Sequence, residues 1–426
     1  MFMEKKRTVI IGIDGVPYRL MKDLSDKGVM PTFRMLRKEG TFCKMQSSIP
    51  ELSSVSWSSI ITGTNPGVHG IFGFTDFIEG TYSLRFPNFR NLKSKAFWQR
   101  DSKKYIIINV PSTYPAKEIN GFLVSGFVAL DLEKAVYPPR YVKTLKKLGY
   151  KIDVDAQKGH ESTSLFLKDL FETHKNRILT YRYFWDKAGI DWDVFTVVFT
   201  GSDRLGHFMW NAYEDPNNEY HSEFLRYFEL VDEEIGYINS KLGEEDSLIM
   251  LSDHGMESVK TNVNVNRYLT EEGFCSLDND LKKNYNNIKE GTKAFALDPA
   301  RIYLNKKDRF PRGRIKKNEE AGLKEELIDL FSQLKMNGSP VIKRIHDKKE
   351  IYHGPHIDNA PDLILQPNAG FNLKGSVLKK EVFDKDIFTG KHTQEDAFLY
   401  FRGEVDLPDN LSVEHVMNLI IGRDTN

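Results

Sequence analysis

Apolar residues follow two periodicities along the chain. Short runs rich in β-branched residues occur at Thr8–Ile13, Tyr105–Val110, Val194–Thr200 and Ser247–Ser252, with a further candidate at Phe398–Phe401. Such runs, mostly stopped by Gly, Asp or Ser, predict buried strands. Longer stretches repeat at helical spacing instead. Phe224, Phe228, Val231, Ile235, Ile238 and Leu242 form one stripe, which predicts a helix closed by Gly243. Leu165, Phe166, Leu170, Phe171, His174 and Ile178 form a second, and a shorter helix is expected from Pro31 to Gly40. Strands alternating with helices predict an α/β fold, a mostly parallel sheet covered on both faces.

No internal repeat interrupts this pattern, and no linker divides it. The polar segment Leu269–Lys293 and the basic segment Lys306–Lys317 read as loops in an insertion between the fourth strand and the C-terminal part. Residues 1–426 are therefore read as a single α/β domain with insertions. The 60 Lys and Arg balance 60 Asp and Glu. Zero net charge argues against a nucleic acid polymer as partner, while leaving room for a local site that binds a small anion. Cys43 and Cys275 stand far apart in no ligand pattern, which suits a reducing compartment. No stretch approaches the roughly 20 apolar residues of a membrane span, and the N-terminus lacks a secretory pattern. A soluble, cytoplasmic protein with no membrane partner is expected.

Chemistry concentrates where strands end. Thr8–Ile13 runs into Asp14-Gly15, Val194–Thr200 into a segment carrying Asp203 and His207, and Ser247–Ser252 into Asp253-His254-Gly255. Each alone is an ordinary N-cap, turn or helix-surface pair. In open α/β sheets, however, ligands bind beyond the carboxyl ends of the strands, so these side chains are expected to converge. Asp and His together suit zinc or manganese. A serine-rich segment follows Glu51, with a helix expected from about Ser53 to Gly63. A hydroxyl at its start meets the positive end of the helix dipole, which favours an alkoxide and binds phosphate. Composition does not separate Ser53, Ser54, Ser56, Ser58 and Ser59.

The ordered set Ile10–Gly15, Asn65–Ile71, Asn109–Pro111, Phe199–Asp203, Leu251–Gly255 and Gly390–His392 resembles the alkaline phosphatase superfamily, in its nucleotide pyrophosphatase/phosphodiesterase branch. Asn109-Val110-Pro111 and Ala294–Pro299 are similar to segments of a prokaryotic subgroup whose substrate is undefined. The resemblance implies an alkaline-phosphatase-like three-layer sandwich with a smaller cap inserted at approximately 259–391. It also implies two divalent metals, zinc first, with manganese or iron as alternatives. Asp203, His207 and His392 match the ligands of one; Asp14, Ser53, Asp253 and His254 match those of the other. Ser53 matches the nucleophile because it lies nine residues before Thr62 of Thr62-Gly63, with Ser54 the choice if the register differs by one.

The implied activity is hydrolysis of phosphodiester or nucleotide pyrophosphate bonds in a small phosphate ester or nucleotide, through a phosphoserine. A phosphomonoesterase, a mutase-like phosphotransferase and an inactive metal-binding relic are the alternatives. This chain departs from the branch in having Ser for Thr, and in having no amide in Ile71–Thr75, where the family carries an Asn. Ser54 also stands where many members stack a base on an aromatic. Tyr114, Trp57, Phe72 and Phe74 are the candidate aromatic surfaces for a substrate. His69 is expected to fix a Gly-flanked turn, and His353 and His356 to lie in a loop. Lys293, Arg301 and Arg312 are read as leaving-group phosphate ligands or as a solvated basic face.

Overall fold

Five of the six residues of Thr8–Ile13 (β1) are buried, and a strand without a polar face is stable only inside a covered sheet. In the computed structural model, which describes residues 6–278 and 284–422, β1 pairs in parallel with Val194–Phe199 and with Ser247–Leu251 on its other side. Residues 1–5 and part of the expected polar loop, 279–283, lie outside the described residues. The chain divides into two compact units. The first comprises Met1–Thr64, Asn88–Glu257 and Ile387–Asn426; the second comprises Asn65–Pro87 and Ser258–Asp386.

The first unit is built on an eight-stranded sheet. In chain order its strands are β1, Gly40–Met45 (β2), Tyr105–Val110 (β3), Gly121–Ser125 (β4), Val136–Tyr137 (β5), Val194–Phe199 (β6), Ser247–Leu251 (β7) and, after a separate two-stranded ribbon of Gly255–Ser258 (β8) and Gly390–Thr393 (β9), Ala397–Arg402 (β10). The spatial order is β2-β10-β7-β1-β6-β3-β4-β5. The run β7-β1-β6-β3-β4 is parallel, and β2, β10 and β5 pair antiparallel at the margins. This is the expected α/β fold with a mostly parallel central sheet.

Apolar clusters cover both faces. Ile11, Leu20, Phe166, Leu170, Phe195, Phe228 and Ile235 belong to one, and Ile10, Trp57, Ile60, Ile107, Val198 and Ile249 to the other. Helices Ser53–Thr62 (α1), Thr163–Asp186 (α2), Gly201–Glu214 (α3) and His221–Ser240 (α4) supply much of that cover. Helix α4 departs from its expected end at Gly243. It stops at Ser240, the N–H groups of Lys241 and Leu242 bond back to Ile238 and Asn239, and Gly243 donates its N–H to Asp246 Oδ2. The carboxylate, rather than a left-handed glycine, closes this end.

The second unit has its own core. An antiparallel sheet of Ala294–Leu297, Arg301–Leu304, Leu363–Pro367 and Ile342–Asp347 carries Phe295, Tyr303 and Leu304. Phe77, from the early segment Asn65–Pro87, sets its ring against Phe295, Tyr303 and Phe310. The unit thus takes in a stretch that the insertion expected at about 259–391 does not include. It ends at Asp386, so that His392 belongs to the first unit.

Gly12 is the tightest point of β1. A Cβ there would lie 2.5 Å from Trp57 Cη2 and 2.9 Å from Val198 Cγ2, so α1 packs on the strand only because this position has no side chain. Gly12→Ala is expected to destabilise the protein by about 1–3 kcal/mol through overpacking, read as a lower urea midpoint at unchanged slope. An unchanged midpoint would show that Trp57 has room to yield.

Candidate active site

Three of the parallel strands of the first unit, β1, β6 and β7, deliver polar groups just beyond their carboxyl ends. β1 delivers Asp14. β6 leads into α3, whose first turns carry Asp203 and His207 one helical turn apart and so on one face. β7 leads to Asp253 and His254, and β9 contains His392. Ser53 is the first residue of α1, a helix in which every residue is buried. Two backbone features let these segments converge. Gly15 turns at φ +70°, and a Cβ on it would lie 2.8 Å from Asp203 Oδ1. Its N–H donates to Asp253 Oδ1 at 3.1 Å.

The histidines are oriented alike. His207 Nδ1 lies 3.0 Å from the Gly390 carbonyl, His392 Nδ1 2.7 Å from that of Glu51, and His254 Nδ1 3.0 Å from that of Gly255. A carbonyl only accepts, so each Nδ1 donates, and a neutral ring then presents its Nε2 lone pair inward. The Nε2 atoms of His207 and His392 are 2.8 Å apart, with Asp203 Oδ1 at 3.4 and 3.3 Å. His254 Nε2 is 3.0 Å from Ser53 Oγ, 3.3 Å from Asp253 Oδ2, and 3.9 Å from both Asp14 Oδ1 and Asp203 Oδ1. Ser53 Oγ donates to Asp14 Oδ1 at 3.5 Å.

Two groups capable of holding a cation result. Asp203, His207 and His392 form one, and Asp14, Asp203 and His254 the other. Their donor set fits divalent metals on a direct observation. Lone pairs of two neutral imidazoles face each other, and Asp203 Oδ1 and Asp253 Oδ2 are buried without a hydrogen-bond partner. A cation at each group relieves the facing lone pairs and satisfies Asp203 Oδ1.

Electrostatics point the same way. Burial, with Asp253 and Asp203 beside it, raises the Asp14 carboxyl well above the ordinary range. Burial pushes Asp253 up to about 7 against the pull of the Gly15 N–H. Asp203 lies below its ordinary value: burial opposes its charge, a protonated His207 or His392 would support it, and Arg204 supports it whatever the state of those rings. The same burial lowers His207 and takes His392 down to about 3. Arg204 keeps its charge beside Asp203 when those two histidines are neutral.

All seven residues matched to the metal site by resemblance therefore meet in the first unit, and Ser53 is the serine whose hydroxyl reaches His254. Ser54 Oγ is buried without a hydrogen-bond partner. Trp57 is not an open stacking surface: it is 1 % exposed, and its Nε1 donates to Asp14 Oδ2 at 3.0 Å. Its position one turn after Ser53 on α1 is the signal by which spacing could have placed it beside Asp14. Tyr114 is half-buried in the first unit, while Phe74 is half-buried and Phe72 buried in the second. His69 Nδ1 accepts the Ile71 N–H, fixing its turn, and His353 is exposed.

The basic residues read as phosphate ligands or a solvated face behave differently. Arg301 is fully buried, with its donors spent on Thr75 and the Asp298 carbonyl. Arg312 donates to the Asn286 carbonyl, and Lys293 pairs with Glu326. The sequence reading also missed the sharing of Asp203 between both groups, and the carbonyls that fix the histidines.

An α/β sheet whose strand ends gather this Asp/His set defines a metal-dependent phosphoester hydrolase of the alkaline phosphatase superfamily. Residues 8–394 match the profile of the type I phosphodiesterase/nucleotide pyrophosphatase family, and the chain belongs to that family. Among solved structures it resembles phosphonoacetate hydrolase from Sinorhizobium meliloti in complex with phosphonoformate, at 15% identity and TM-score 0.65 over 98% of this chain and 95% of that one. It also resembles murine ectonucleotide pyrophosphatase/phosphodiesterase 5, at 14% identity and TM-score 0.57 over 98% and 94%. An inactive form of that protein in complex with AMP matches at TM-score 0.56. Comparison with curated protein sequences finds no match. Among the described residues, no helix is long and apolar enough to cross a membrane.

The raised carboxyls set a pH dependence. In the metal-free protein Asp253, moved from 3.8 to about 7, holds its proton below that pH, and a carboxyl must release its proton before it can take a cation. The apparent Zn2+ affinity is expected to fall as pH drops below about 7, with proton release on binding. Chelator competition on both sides of that pH checks this; a flat affinity would contradict it.

Proposed function

We propose that the protein is a two-metal hydrolase of phosphodiester or nucleotide pyrophosphate bonds that uses Ser53 as nucleophile. The observation that carries this reading is the Ser53 hydroxyl, 3.0 Å from His254 Nε2 at the first residue of a buried helix. Asp203, His207 and His392 would hold one divalent ion; Asp14, Asp253, His254 and the Ser53 oxygen, with Asp203 alongside, would hold the other. Zinc suits this donor set, and manganese or iron are accommodated by it. When bound, the ions supply the positive charge that lowers the pKa of the serine hydroxyl and neutralises the phosphoryl oxygens.

The chain's own groups do the rest. Trp57 and the Gly15 N–H hold Asp14 and Asp253 in place, and the first turn of α1 offers unladdered amides to an anion. Ser53 loses its proton to solvent, and its Oγ forms a bond to phosphorus as the bond to the leaving oxygen breaks. That oxygen takes up a proton, and a phosphoserine remains. Attack of water on phosphorus then cleaves the serine ester and returns the hydroxyl. The expected partner is a small phosphate ester or nucleotide. Cytoplasmic location is part of this reading, supported by the two free thiols.

The zinc- or manganese-loaded protein is expected to prefer bis-p-nitrophenyl phosphate to p-nitrophenyl phosphate, with activity lost on chelation. Preference for the monoester, or for phosphonoacetate, would redirect the reading to those substrates. Ser53→Ala is expected to lower kcat by about 10³-fold or more while metal content survives. Near-normal turnover in that variant would remove Ser53 from the role.

A further inference from the structure

Asp203 is the carboxylate on which both cation-binding groups depend, and only its Oδ1 faces them. Its other oxygen faces away. Arg204, the next residue on α3, brings Nη1 to 3.6 Å from Asp203 Oδ2. The guanidinium is itself fixed: Nε and Nη2 both donate to Asp153 Oδ2, at 3.0 and 2.7 Å, and Cζ lies 4.4 Å over the Phe127 ring. Asp153 is fixed in turn. Its Oδ1 accepts the Thr200 hydroxyl at 3.2 Å, and Thr200 Oγ1 accepts from Asn109 Nδ2 at 3.2 Å. Asn109 Oδ1 accepts from Tyr150, whose hydroxyl accepts from the buried Arg177. A continuous polar chain thus runs from α2, across the ends of β3 and β6, to the back of the shared ligand.

We propose that the Arg204–Asp153 pair is a positioning device that occupies Asp203 Oδ2 and so leaves Oδ1 alone to be shared between the two metal positions. The proposal rests on the metal-site reading above. A carboxylate free to rotate could turn both oxygens toward one cation and desert the other. Arg204 removes that option, because its fork is held by two bonds to Asp153 and by the ring beneath it.

The sign of the effect separates positioning from simple charge. A guanidinium near a cation site repels the cation, so an Arg204 that contributed only its field would weaken metal binding, and its removal would tighten it. An Arg204 that orients Asp203 does the opposite, since loss of a group supporting a metal ligand costs about 10–100-fold in affinity.

The test is Zn2+ affinity of the full-length protein, by competition with a chromophoric chelator, in wild type, Arg204→Met, Arg204→Lys, Asp153→Asn and the Arg204→Met/Asp153→Asn double variant. The expected result is binding about 10–100-fold weaker in Arg204→Met and in Asp153→Asn, with the double variant no weaker than the worse single one. Arg204→Lys, whose ammonium can still hold Asp203 Oδ2 but lacks the fork that Asp153 fixes, should recover only part of the loss. Thermal unfolding of the metal-free forms identifies any variant that does not fold. Should Arg204→Met be one, the near-isosteric Asp153→Asn carries the same comparison. Unchanged or tighter Zn2+ binding in the folded variants would overturn the positioning role. Wild-type protein that bound no Zn2+ would overturn the metal-site reading beneath it.

Discussion

Three carboxylates, Asp14, Asp203 and Asp253, are buried together at one edge of the sheet, and an ionised carboxylate out of water is costly unless a cation accompanies it. Arg204 is the adjacent cation, and it stands behind Asp203 rather than among the three. The residues in front are histidines that burial keeps neutral at His207 and His392. In the absence of metal the arrangement answers by protonation, which is why Asp14 and Asp253 are raised. Most other features of the first unit follow from the need to hold this cluster in place.

The parallel sheet meets that need by geometry. Strands that run the same way end at the same edge, so β1, β6 and β7 deliver their following residues to one place. Backbone carbonyls then select the tautomer of each histidine, and Trp57 and Gly15 hold the carboxylates. The close packing of α1 on β1 at Gly12 serves the same end, since it seats Trp57, one turn after Ser53, against the strand. Fold and site are therefore one design.

The legible parts of the sequence were those set by local pattern. Continuous β-branched runs marked β1, β3, β6 and β7, because strands buried on both faces have no polar alternation to obscure them. Asp and His directly after such runs marked the site. Less legible were β2 and β5, marginal strands that pair antiparallel: β2 carries mixed polarity, and β5 has only two residues. Gly243 misled because the Asp246 carboxylate, three residues on, decides how that helix ends. Trp57 and Arg301 read as possible ligand contacts, and only three-dimensional packing shows them spent on Asp14 and on Thr75. The sharing of Asp203 and the Arg204–Asp153 pair depend on contacts between distant segments, which no spacing reveals.

All of this turns on the edge cradling two cations that share Asp203. Anomalous diffraction from crystals grown with zinc tests it most directly. Two peaks are expected, one bonded to His207 Nε2 and His392 Nε2 and the other to His254 Nε2, with Asp203 Oδ1 between them. A single peak, or zinc bound only away from these residues, would contradict it.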